Sequence, residues 1–354
     1  MKSVVVTGAS TGIGWGCAKV LIASGFRVFG SVRKQTDAGR LSKEFGANFM
    51  PLIFDVTDEA MVAAGAQQVK TALGAETLFG LVDNAGIAVP GPLLYLKIDD
   101  FKHQIAVNLT GQLIVTQAFT PLLGADRSHK GVPGRIVMIS SVGGKNAWPF
   151  LGPYSAAKFG LEGMSEALRR ELMLFGIDVI VVAPGAVATP IWDRANAAEI
   201  AQFTNTPYVA ALEKMQAFMI ANGKNGLPPE RLGEVVKAAL TVPKPKTRYT
   251  VTPNPARNLM FNTLPKRIVD NLVAPARAQI AAARGVDRRG RHPQDETDPM
   301  MVSVRRAGVG DMSIWARRWQ TGSRVTPLVC RGRTPAFEPR GENEGNAGPW
   351  VQEA

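Results

Sequence analysis

The sequence predicts an α/β fold, with a doubly wound seven-stranded parallel sheet and a helical lid. Short apolar runs rich in β-branched residues alternate with amphipathic segments, the pattern of strands joined by right-handed crossover helices. A glycine-rich turn at residues 7–14 separates the first strand from the first helix. The composition, 45% hydrophobic and 20% charged, is that of a globular protein with a full core.

The strands are predicted from their apolar runs. The first is a β-branched run ending at Val6, which suits a strand buried on both faces of a sheet. The full predicted set lies at residues 3–6, 27–31, 50–54, 78–82, 134–139, 177–182 and 247–251. Residues 190–228 lie between the sixth and seventh strands, and we expect them to form the helical lid.

The turn after the first strand has glycines at positions 8, 12 and 14, and a helix is predicted from Trp15 to Ala23. Such a turn lets the backbone approach a pyrophosphate, which the N–H groups and dipole of the helix N-terminus then hold. The spacing differs from the commoner Gly-x-Gly-x-x-Gly, and a glycine turn without a ligand is the alternative.

Tyr154 and Lys158 are one turn apart in a segment that is predicted to be a helix, because residues 159–175 carry apolar residues at 3–4 spacing. Both side chains would therefore project from one face. A phenol with an ordinary pKa near ~10 is a weak acid at neutral pH. A neighbouring ammonium group favours the phenolate and lowers that pKa. The pair is therefore a candidate general acid/base for proton exchange with an alcohol or a carbonyl.

Several motifs occur in one order along the chain, and together they resemble the short-chain dehydrogenase/reductase family. They are the turn at 7–14, Asp55-Val56, Asn84-Ala85-Gly86, Asn108, Ser141, the Tyr154/Lys158 pair, and Pro184-Gly185 with Thr189. The runs at 141–144, 158–164 and 252–284 are similar to the hydroxysteroid and retinol dehydrogenase branch. The resemblance implies a Rossmann-like oxidoreductase.

The resemblance also implies four catalytic residues. Ser141 would donate to the substrate oxygen, and Tyr154 would exchange the proton with it. Lys158 would lower the pKa of Tyr154 and bind the nicotinamide ribose, and Asn108 would hold, through water, a proton path to solvent. Ser140 is the alternative serine, and Asn108 has the alternative of an amide satisfied by backbone groups.

The same resemblance implies a dinucleotide cleft in which Asp55 accepts from the adenine amino group. Its alternative role is the N-cap of the next helix. Thr189 would bond the carboxamide or the pyrophosphate. The family often has a second Asn where this chain has Asp83, which puts the local hydrogen bonding in doubt. The implied cofactor-binding residues are Gly8, Ser10, Thr11, Gly12, Ile13, Gly14, Arg33, Asp55, Val56, Asn84, Ala85, Gly86, Tyr154, Lys158, Pro184, Gly185, Val187 and Thr189.

Cofactor choice depends on the end of the second strand. A preference for NAD needs a carboxylate there, and the position holds the neutral Val32. Arg33 and Lys34 follow, and Ser31 adds a hydroxyl, so a 2′-phosphate would meet donors. Thr11 lacks the basic side chain of many NADP-preferring relatives. We predict NADP(H), with NAD(H) as the alternative if Arg33 belongs to a solvated turn.

The predicted substrate is a hydrophobic small molecule of steroid, retinoid or lipid type, whose secondary alcohol and ketone are interconverted. Bulky residues of the lid favour it, although they could instead pack the lid on the body. The residues are Trp192, Phe203, Tyr208, Met215, Phe218 and Met219. A homodimer or homotetramer is expected. The alternatives are a ketoacyl-thioester reductase and a non-catalytic dinucleotide-binding redox sensor.

Charge and composition argue against several other classes. The net charge of +12 is scattered and lacks the interleaved aromatic residues of a nucleic-acid platform, so no nucleic-acid partner is predicted. A basic surface of this kind allows at most peripheral contact with a membrane. Two Cys and three His show no metal-ligand spacing, and no metal is predicted. The first strand begins close to Met1, no apolar run is long enough to span a membrane, and a cytoplasmic location is predicted.

The predicted oxidoreductase domain covers residues 1–285. The last 69 residues contain 11 Arg and no Lys, and they show no sustained periodicity. We predict that residues 286–354 are a disordered Arg-rich tail. An Arg-rich interaction arm and the product of a frameshift are the alternatives.

Overall fold

The fold is taken from a computed structural model, which describes residues 1–191 and 201–273. The described residues all belong to one compact unit, Met1–His292. The predicted tail at 286–354, the boundary at 285 and Trp192 lie outside the described residues.

Seven strands form the sheet, and helices alternate with them. The strands are β1 (Ser3–Val6), β2 (Arg27–Val32), β3 (Phe49–Ile53), β4 (Gly80–Asp83), β5 (Arg135–Ile139), β6 (Asp178–Pro184) and β7 (Arg248–Val251). The described helices are α1 (Gly12–Ala23), α2 (Gln35–Phe45), α3 (Glu59–Leu73), α4 (Ile98–Ile105), α5 (Gly111–Phe119), α6 (Gly152–Glu171), α7 (Val209–Lys224), α8 (Pro229–Thr241), α9 (Pro255–Thr263) and α10 (Lys266–Val273). Single turns of 3₁₀ helix lie at Gly46–Asn48, Thr120–Leu123, Val142–Gly144 and Leu172–Phe175.

The strand order is β3-β2-β1-β4-β5-β6-β7, and every neighbouring pair is parallel. The chain adds strands outward from β1 on one side of the sheet and outward from β4 on the other. The order of the strands therefore changes direction between β1 and β4. Parallel strands bring all seven carboxyl ends to one edge of the sheet, and the reversal opens a crevice there. The predicted doubly wound α/β fold is confirmed.

The core lies on both faces of this sheet. On one face, Leu21 of α1 and Val236 of α8 pack over β1 and β2. On the other, Phe54, Phe119 and Leu161 pack over β4 and β5. Because both faces are covered, the central strands are continuous apolar runs, which is why the sequence predicted their positions within two residues of the ends observed.

Two helices begin earlier than the sequence indicates. α1 starts at Gly12, and α6 starts at Gly152 with Pro153 in its first turn. Proline suits that position because backbone N–H groups in the first turn of a helix have no partner within it, so the absence of an N–H in proline costs no hydrogen bond. Tyr154 and Lys158 therefore lie inside α6, in the helical segment that the sequence predicted. The helix begins ahead of the periodic apolar residues at 159–175, since the small residues before them carry no such pattern.

Helix α8 is held close to α1 and to the end of β6. A Cβ at Gly233 would come within 2.6 Å of the Gly16 carbonyl oxygen, so these two helices touch through backbone. Ahead of α8, the Leu227 N–H donates to Ala186 O at 2.9 Å, and Ala188 N–H donates to Leu227 O at 2.9 Å. The link between α7 and α8 is thereby fixed to the body of the protein.

Candidate active site

The carboxyl ends of the strands open into a cleft of about 380 Å³. With the exception of Gly14, every residue that the sequence predicted for the site lines this cleft. They are Gly8, Ser10, Thr11, Gly12, Ile13, Arg33, Asp55, Val56, Asn84, Ala85, Gly86, Asn108, Ser141, Tyr154, Lys158, Pro184, Gly185, Val187 and Thr189. Residues from eight separate segments are thus brought to one place.

The glycine turn has the geometry of an anion site. Gly8 and Gly12 have φ angles of +66° and +59°, in the left-handed region that favours glycine. Helix α1 begins at Gly12, and its N-cap residue Thr11 makes no side-chain hydrogen bond to the helix. The first N–H groups of α1 are therefore free of a side-chain cap and lie at the cleft, where a pyrophosphate fits.

Gly14 has a packing role behind that turn. A Cβ at this position would lie 2.2 Å from Gly8 O and 2.5 Å from the Asn84 side chain. Only glycine lets α1 approach the turn so closely. Gly14 thus shapes the turn without lining the cleft, and its place in the cofactor site stays a prediction.

Asn84 holds the end of β4 to the end of β1. Its side-chain N–H donates to Thr7 O at 2.8 Å, and its backbone N–H donates to the Thr7 hydroxyl at 2.8 Å. The Ala85 N–H donates to the same hydroxyl at 3.0 Å. These bonds fix the glycine turn relative to β4, so the floor of the cleft is rigid.

Asp83, where the family often has Asn, is completely buried. Burial raises the pKa of this carboxyl to about 8, against a hydrogen bond of 2.9 Å that Thr116 donates to Oδ2. Among the described residues, Asp83 Oδ1 and Gln112 Oε1 are buried without hydrogen-bond partners. At neutral pH the carboxyl therefore holds a proton, which makes it a neutral, amide-like group at the end of β4.

Tyr154 projects from the first turn of α6 into the cleft and is half-buried. Burial raises the pKa of its phenol above the ordinary value, and a hydrogen bond with the Ser141 hydroxyl acts in the opposite direction. The Lys158 ammonium lies 5.9 Å from the centre of the phenol ring. The lowered Tyr154 pKa that the sequence predicted is therefore not found, because the effect of burial outweighs that of the Ser141 hydrogen bond.

Lys158 is 5% exposed, and its Nζ donates to the Ile139 carbonyl oxygen at 2.7 Å. Burial lowers the pKa of this ammonium to about 8, while the negative charge of Glu162 favours the charged form. One of its three N–H groups is used by Ile139, which leaves donors for other groups in the cleft. The side chain is thus oriented by the end of β5.

The two adjacent serines are placed differently. The Ser140 hydroxyl is buried and donates to Glu162 at 2.7 Å. The Ser141 hydroxyl accepts from the Gly143 N–H at 3.0 Å and also shares a hydrogen bond with Tyr154. A Cβ at Gly143 would lie 3.2 Å from Ser141 Oγ and 3.5 Å from Tyr154 Cε1, so these two side chains share one wall of the cleft.

Asn108 lies in the π-helical turn Ala106–Thr110 and is fully buried. Its Oδ1 accepts from the Ile87 N–H at 2.9 Å, and its Nδ2 donates to Ile87 O at 2.9 Å. The alternative from the sequence, an amide satisfied by backbone groups, therefore describes this side chain. The amide fixes the segment after β4 along the cleft, and a proton path from Lys158 stays a prediction.

Asp55 and Arg33 lie at the end of the cleft formed by β2 and β3. Asp55 Oδ1 accepts from the backbone and the hydroxyl of Thr57, at 3.0 Å and 2.7 Å. Burial acts to raise the pKa of Asp55, but these bonds and the Arg33 charge outweigh it and lower the pKa. Arg33 is exposed, 3.9 Å from Asp55 Oδ2.

Two details at this end differ from the sequence predictions. The N-cap of α3 is Asp58, which accepts from Met61 N–H at 2.9 Å, so the alternative role for Asp55 was wrong. The Ser31 hydroxyl is buried and accepts from the Gly8 N–H at 3.0 Å. It supports the glycine turn and leaves Arg33 as the main donor at this end.

Residues of the predicted lid divide between two roles. Met215, Phe218 and Met219 of α7 line the cleft. Phe203 is buried, and a Cβ at Gly91 would lie 2.8 Å from its ring. Tyr208 contacts the rings of Tyr95 and Phe150, at centroid distances of 5.9 Å and 5.8 Å. Met215, Phe218 and Met219 are therefore available to a substrate, as the first interpretation had it. Phe203 and Tyr208 pack the lid on the body, as the second had it.

The sequence analysis missed one polar network and one wall of the cleft. Glu162 bonds Arg248 at 3.0 Å, Ser140 at 2.7 Å, and faces Lys158. Its spacing of one turn from Lys158 was the available signal. The missed wall is α9, whose cleft-lining residues include Arg257 and Phe261. The ring of Phe261 contacts Trp148 at 5.7 Å.

Two further searches cover the described residues only. No helix among them is both long and apolar enough to cross a membrane. In residues 1–191 and 201–273, no group of three His, Cys, Asp or Glu side chains is arranged to hold a metal ion.

Comparison with known proteins places this cleft in a family context. A family model described as short chain dehydrogenase matches residues 2–200. The NADPH-dependent 3-dehydrocapnine reductase of Ornithobacterium rhinotracheale is 35% identical over 276 residues, which cover 77% of this chain and 96% of that protein. Mouse retinol dehydrogenase 16 is 32% identical over 263 residues, covering 70% of this chain and 80% of the relative.

Solved structures agree. A short-chain dehydrogenase from Streptomyces avermitilis superposes with a TM-score of 0.61 and 25% identity, over 81% of this chain and 98% of the other. The closed form of a serine dehydrogenase complexed with NADP⁺ gives a TM-score of 0.57 and 25% identity, over 71% and 94% of the two chains. Because the family model spans the strands whose ends form the cleft, and the bacterial reductase aligns over nearly its whole length, the chain belongs to the short-chain dehydrogenase family of oxidoreductases.

Proposed function

We propose that the protein is an NADP(H)-preferring oxidoreductase that interconverts the secondary alcohol and the ketone of a hydrophobic small molecule, of steroid, retinoid or lipid type. The observation that carries this proposal is the shared wall of Ser141 and Tyr154, with the Lys158 ammonium beside it. Two hydroxyl groups at one point of a cleft suit a single substrate oxygen.

In the proposed mechanism, Ser141 donates a hydrogen bond to the substrate oxygen, since its acceptor side is occupied by the Gly143 N–H. Tyr154 gives its proton to that oxygen during reduction and takes it back during oxidation. A dinucleotide held in the cleft would supply the hydride chemistry in either direction. Lys158, oriented by Ile139 O, binds the ribose hydroxyls with its remaining N–H groups.

The remaining site residues hold the dinucleotide in this proposal. The free N–H groups of α1 and the turn at Gly8 and Gly12 bind the pyrophosphate. Asp55 accepts from the adenine with its Oδ2, and Thr189 bonds the carboxamide or the pyrophosphate. Arg33 contacts the 2′-phosphate, and the relative named as NADPH-dependent supports that preference.

A cytoplasmic location and a homodimer or homotetramer are part of the same proposal. The predicted division into a domain at 1–285 and a disordered tail at 286–354 also stays a prediction. Truncation after Gly285 is expected to preserve activity and oligomeric state, measured by turnover and by size-exclusion chromatography with light scattering. An inactive or insoluble truncated protein would contradict the proposed tail.

The test of function is a panel of hydrophobic ketones and alcohols, with NADPH and NADP⁺ followed optically. A 3-oxoacyl thioester and the same ketones with NADH complete the panel. Efficient turnover of hydrophobic ketones with NADPH is expected. Preference for the thioester would favour the ketoacyl-thioester reductase. Dinucleotide binding, seen as a change in NADPH fluorescence, without turnover of any carbonyl compound would favour the redox sensor.

A further inference from the structure

Two helices line the cleft beyond the predicted cofactor residues, and each presents a stripe of residues at helical spacing. The stripe of α7 consists of Met215, Phe218, Met219 and Asn222. The stripe that begins at the N-cap of α9 consists of Asn254, Arg257, Asn258 and Phe261. Positions i, i+3, i+4 and i+7 lie on one face of a helix, so both stripes turn one continuous face to the same space.

The two stripes differ in chemistry. Three of the four α7 residues are large and apolar, whereas three of the four α9 residues are polar and one of them is a cation. A purely hydrophobic substrate would be served by two apolar walls, because each unpaired polar group that it covers loses water without compensation. The contrast between the stripes fits a molecule that is apolar on one side and polar on the other.

Arg257 is the cation of the α9 stripe, and its charge has no counter-ion in the described part of the cleft. Three cationic side chains line the cleft, and the other two are Arg33, beside Asp55, and Lys158, bonded to Ile139 O. Among the described lining residues, Asp55 is the one carboxylate. The Arg257 guanidinium is exposed and makes no ion pair or hydrogen bond to the described residues.

The position of Arg257 in the sheet order separates it from the cofactor phosphates. Arg33 follows β2, the glycine turn follows β1, and α9 follows β7. In the order β3-β2-β1-β4-β5-β6-β7, β7 is four strands from β1 and five from β2. At about 4.8 Å per strand, these are separations of roughly 19 Å and 24 Å. Arg257 therefore lies with the substrate and not with the pyrophosphate or the 2′-phosphate.

We propose that the physiological substrate is an amphiphile that carries an anionic group, such as a carboxylate, sulfonate or phosphate, which pairs with Arg257. The apolar part of this molecule packs on Met215, Phe218 and Met219 of α7. This inference rests on the proposed function and narrows its substrate class. Asn254 and Asn258 add donors on either side of the guanidinium, and the planar guanidinium matches the oxygens of such an anion.

The test compares medium-chain oxo fatty acids with their methyl esters, which differ in charge but not in the reacting ketone. Several separations between the carbonyl and the carboxylate are used, and kcat/KM is measured with NADPH. The wild-type protein should prefer an acid to its ester. Arg257→Gln should lower kcat/KM for that acid by roughly 5- to 10-fold more than for its ester, which is the effect of an exposed ion pair.

Arg257→Lys should restore most of the acid preference, because it keeps the charge. Arg267→Gln is the matched control, since Arg267 is an exposed cation on the neighbouring α10 that does not line the cleft. A wild-type preference for every ester would overturn the inference. So would an equal effect of Arg257→Gln on acid and ester, or an equal effect of the control.

Failure of the proposed function is recognised separately. If no oxo compound is turned over, the dissociation constants of the acids and esters for the NADP⁺-bound protein are measured by calorimetry. Tighter binding of the acid that disappears in Arg257→Gln would support the anionic ligand while the oxidoreductase proposal for these ketones fails. Equal binding of acids and esters would overturn the inference.

Discussion

The two ends of the cleft are built from different parts of the fold. At the cofactor end, the lining consists of strand ends and short turns, such as the glycine turn held by Thr7 and Asn84. At the substrate end, it consists of the side-chain stripes of α7 and α9. The first end is fixed by backbone hydrogen bonds to the sheet, whereas the second depends on which side chains two helices carry.

This difference separates binding of the common dinucleotide from recognition of a particular substrate. Substitutions on the stripes can change the substrate without moving the strand ends. Substitutions beneath the turn, at Gly14 or Asp83, act on the frame that every substrate needs. The predictions below test whether the two ends respond independently.

Asp83→Asn should stabilise the protein at neutral and alkaline pH. The folded-state pKa of about 8 lies above the ordinary value of 3.8, so the folded protein keeps a proton that the unfolded chain releases. The free energy of unfolding should therefore fall as pH rises between those two values, by about 1.4 kcal/mol per pH unit. Asparagine removes this contribution, and its amide N–H group takes the place of the buried oxygen that has no partner in Asp83.

Urea unfolding of the two proteins from pH 5 to pH 8 measures this effect. The stability of the variant should exceed that of wild type by a margin that grows with pH. Asp99→Asn, at an exposed position on α4, is the control and should leave the pH dependence unchanged. Parallel curves for wild type and Asp83→Asn would mean that Asp83 is ionised in the folded protein.

Tyr154→Phe should lower turnover by at least ~10²-fold, which is the usual contribution of a positioned proton donor. The dissociation constant for NADPH should change little, because the glycine turn and Lys158 stay in place. Since burial raises the pKa of Tyr154, ketone reduction by the wild-type protein should persist into mildly alkaline pH. Near-normal turnover of the variant in steady-state assays would contradict the proposed role.

Arg33→Ala should raise the KM for NADPH by about 10-fold and change that for NADH far less. The contact with a 2′-phosphate is charge-assisted, but the exposed position of Arg33 weakens it. Val32→Asp should go further and favour NADH, because a carboxylate repels the phosphate and accepts from a free 2′-OH. An equal effect on both cofactors would assign Arg33 to a solvated turn.

Phe218→Ala should raise the KM for hydrophobic ketones by roughly 3- to 5-fold, as part of an apolar contact is lost. The KM for NADPH should be unchanged, because Phe218 lies at the other end of the cleft. Phe159→Ala is a matched control, since Phe159 is 45% exposed against 46% for Phe218 and does not line the cleft. A change in the NADPH constant would show that the two ends are coupled.

The residues predicted for the cofactor end meet in one cleft, and they could be chosen from the sequence because their motifs are local. Each glycine and each strand-end residue needs a particular backbone geometry, which a short run of residues specifies. The substrate end was predicted only in part, because the stripe of α9 becomes a wall only when β7 takes its place beside β6. Likewise, Glu162 and Arg248 pair across 86 positions of sequence, and no local pattern joins them.

Electrostatic properties were the least predictable from the sequence. The Tyr154/Lys158 spacing indicated a lowered phenol pKa, but burial in the folded protein has the opposite effect. Asp83 would ordinarily be ionised at neutral pH, and nothing in the sequence indicates otherwise. Its complete burial raises the pKa of the carboxyl and makes it a neutral acid. Desolvation depends on all the surrounding elements, so it is known only after they have assembled.

The fixed link between α7 and α8 has a mechanical consequence. Because Leu227 is bonded on both sides to residues 186 and 188, a rigid rotation of α7 must pivot near residue 225. At 1.5 Å of rise per residue, Met215 lies about 15 Å from that pivot and Asn222 about 5 Å. A rotation of roughly 10° would then shift Met215 by about 3 Å but Asn222 by less than about 1 Å. The Met215 end of the α7 stripe can therefore move further than the Asn222 end, but only when Tyr208, just ahead of α7, leaves the rings of Tyr95 and Phe150.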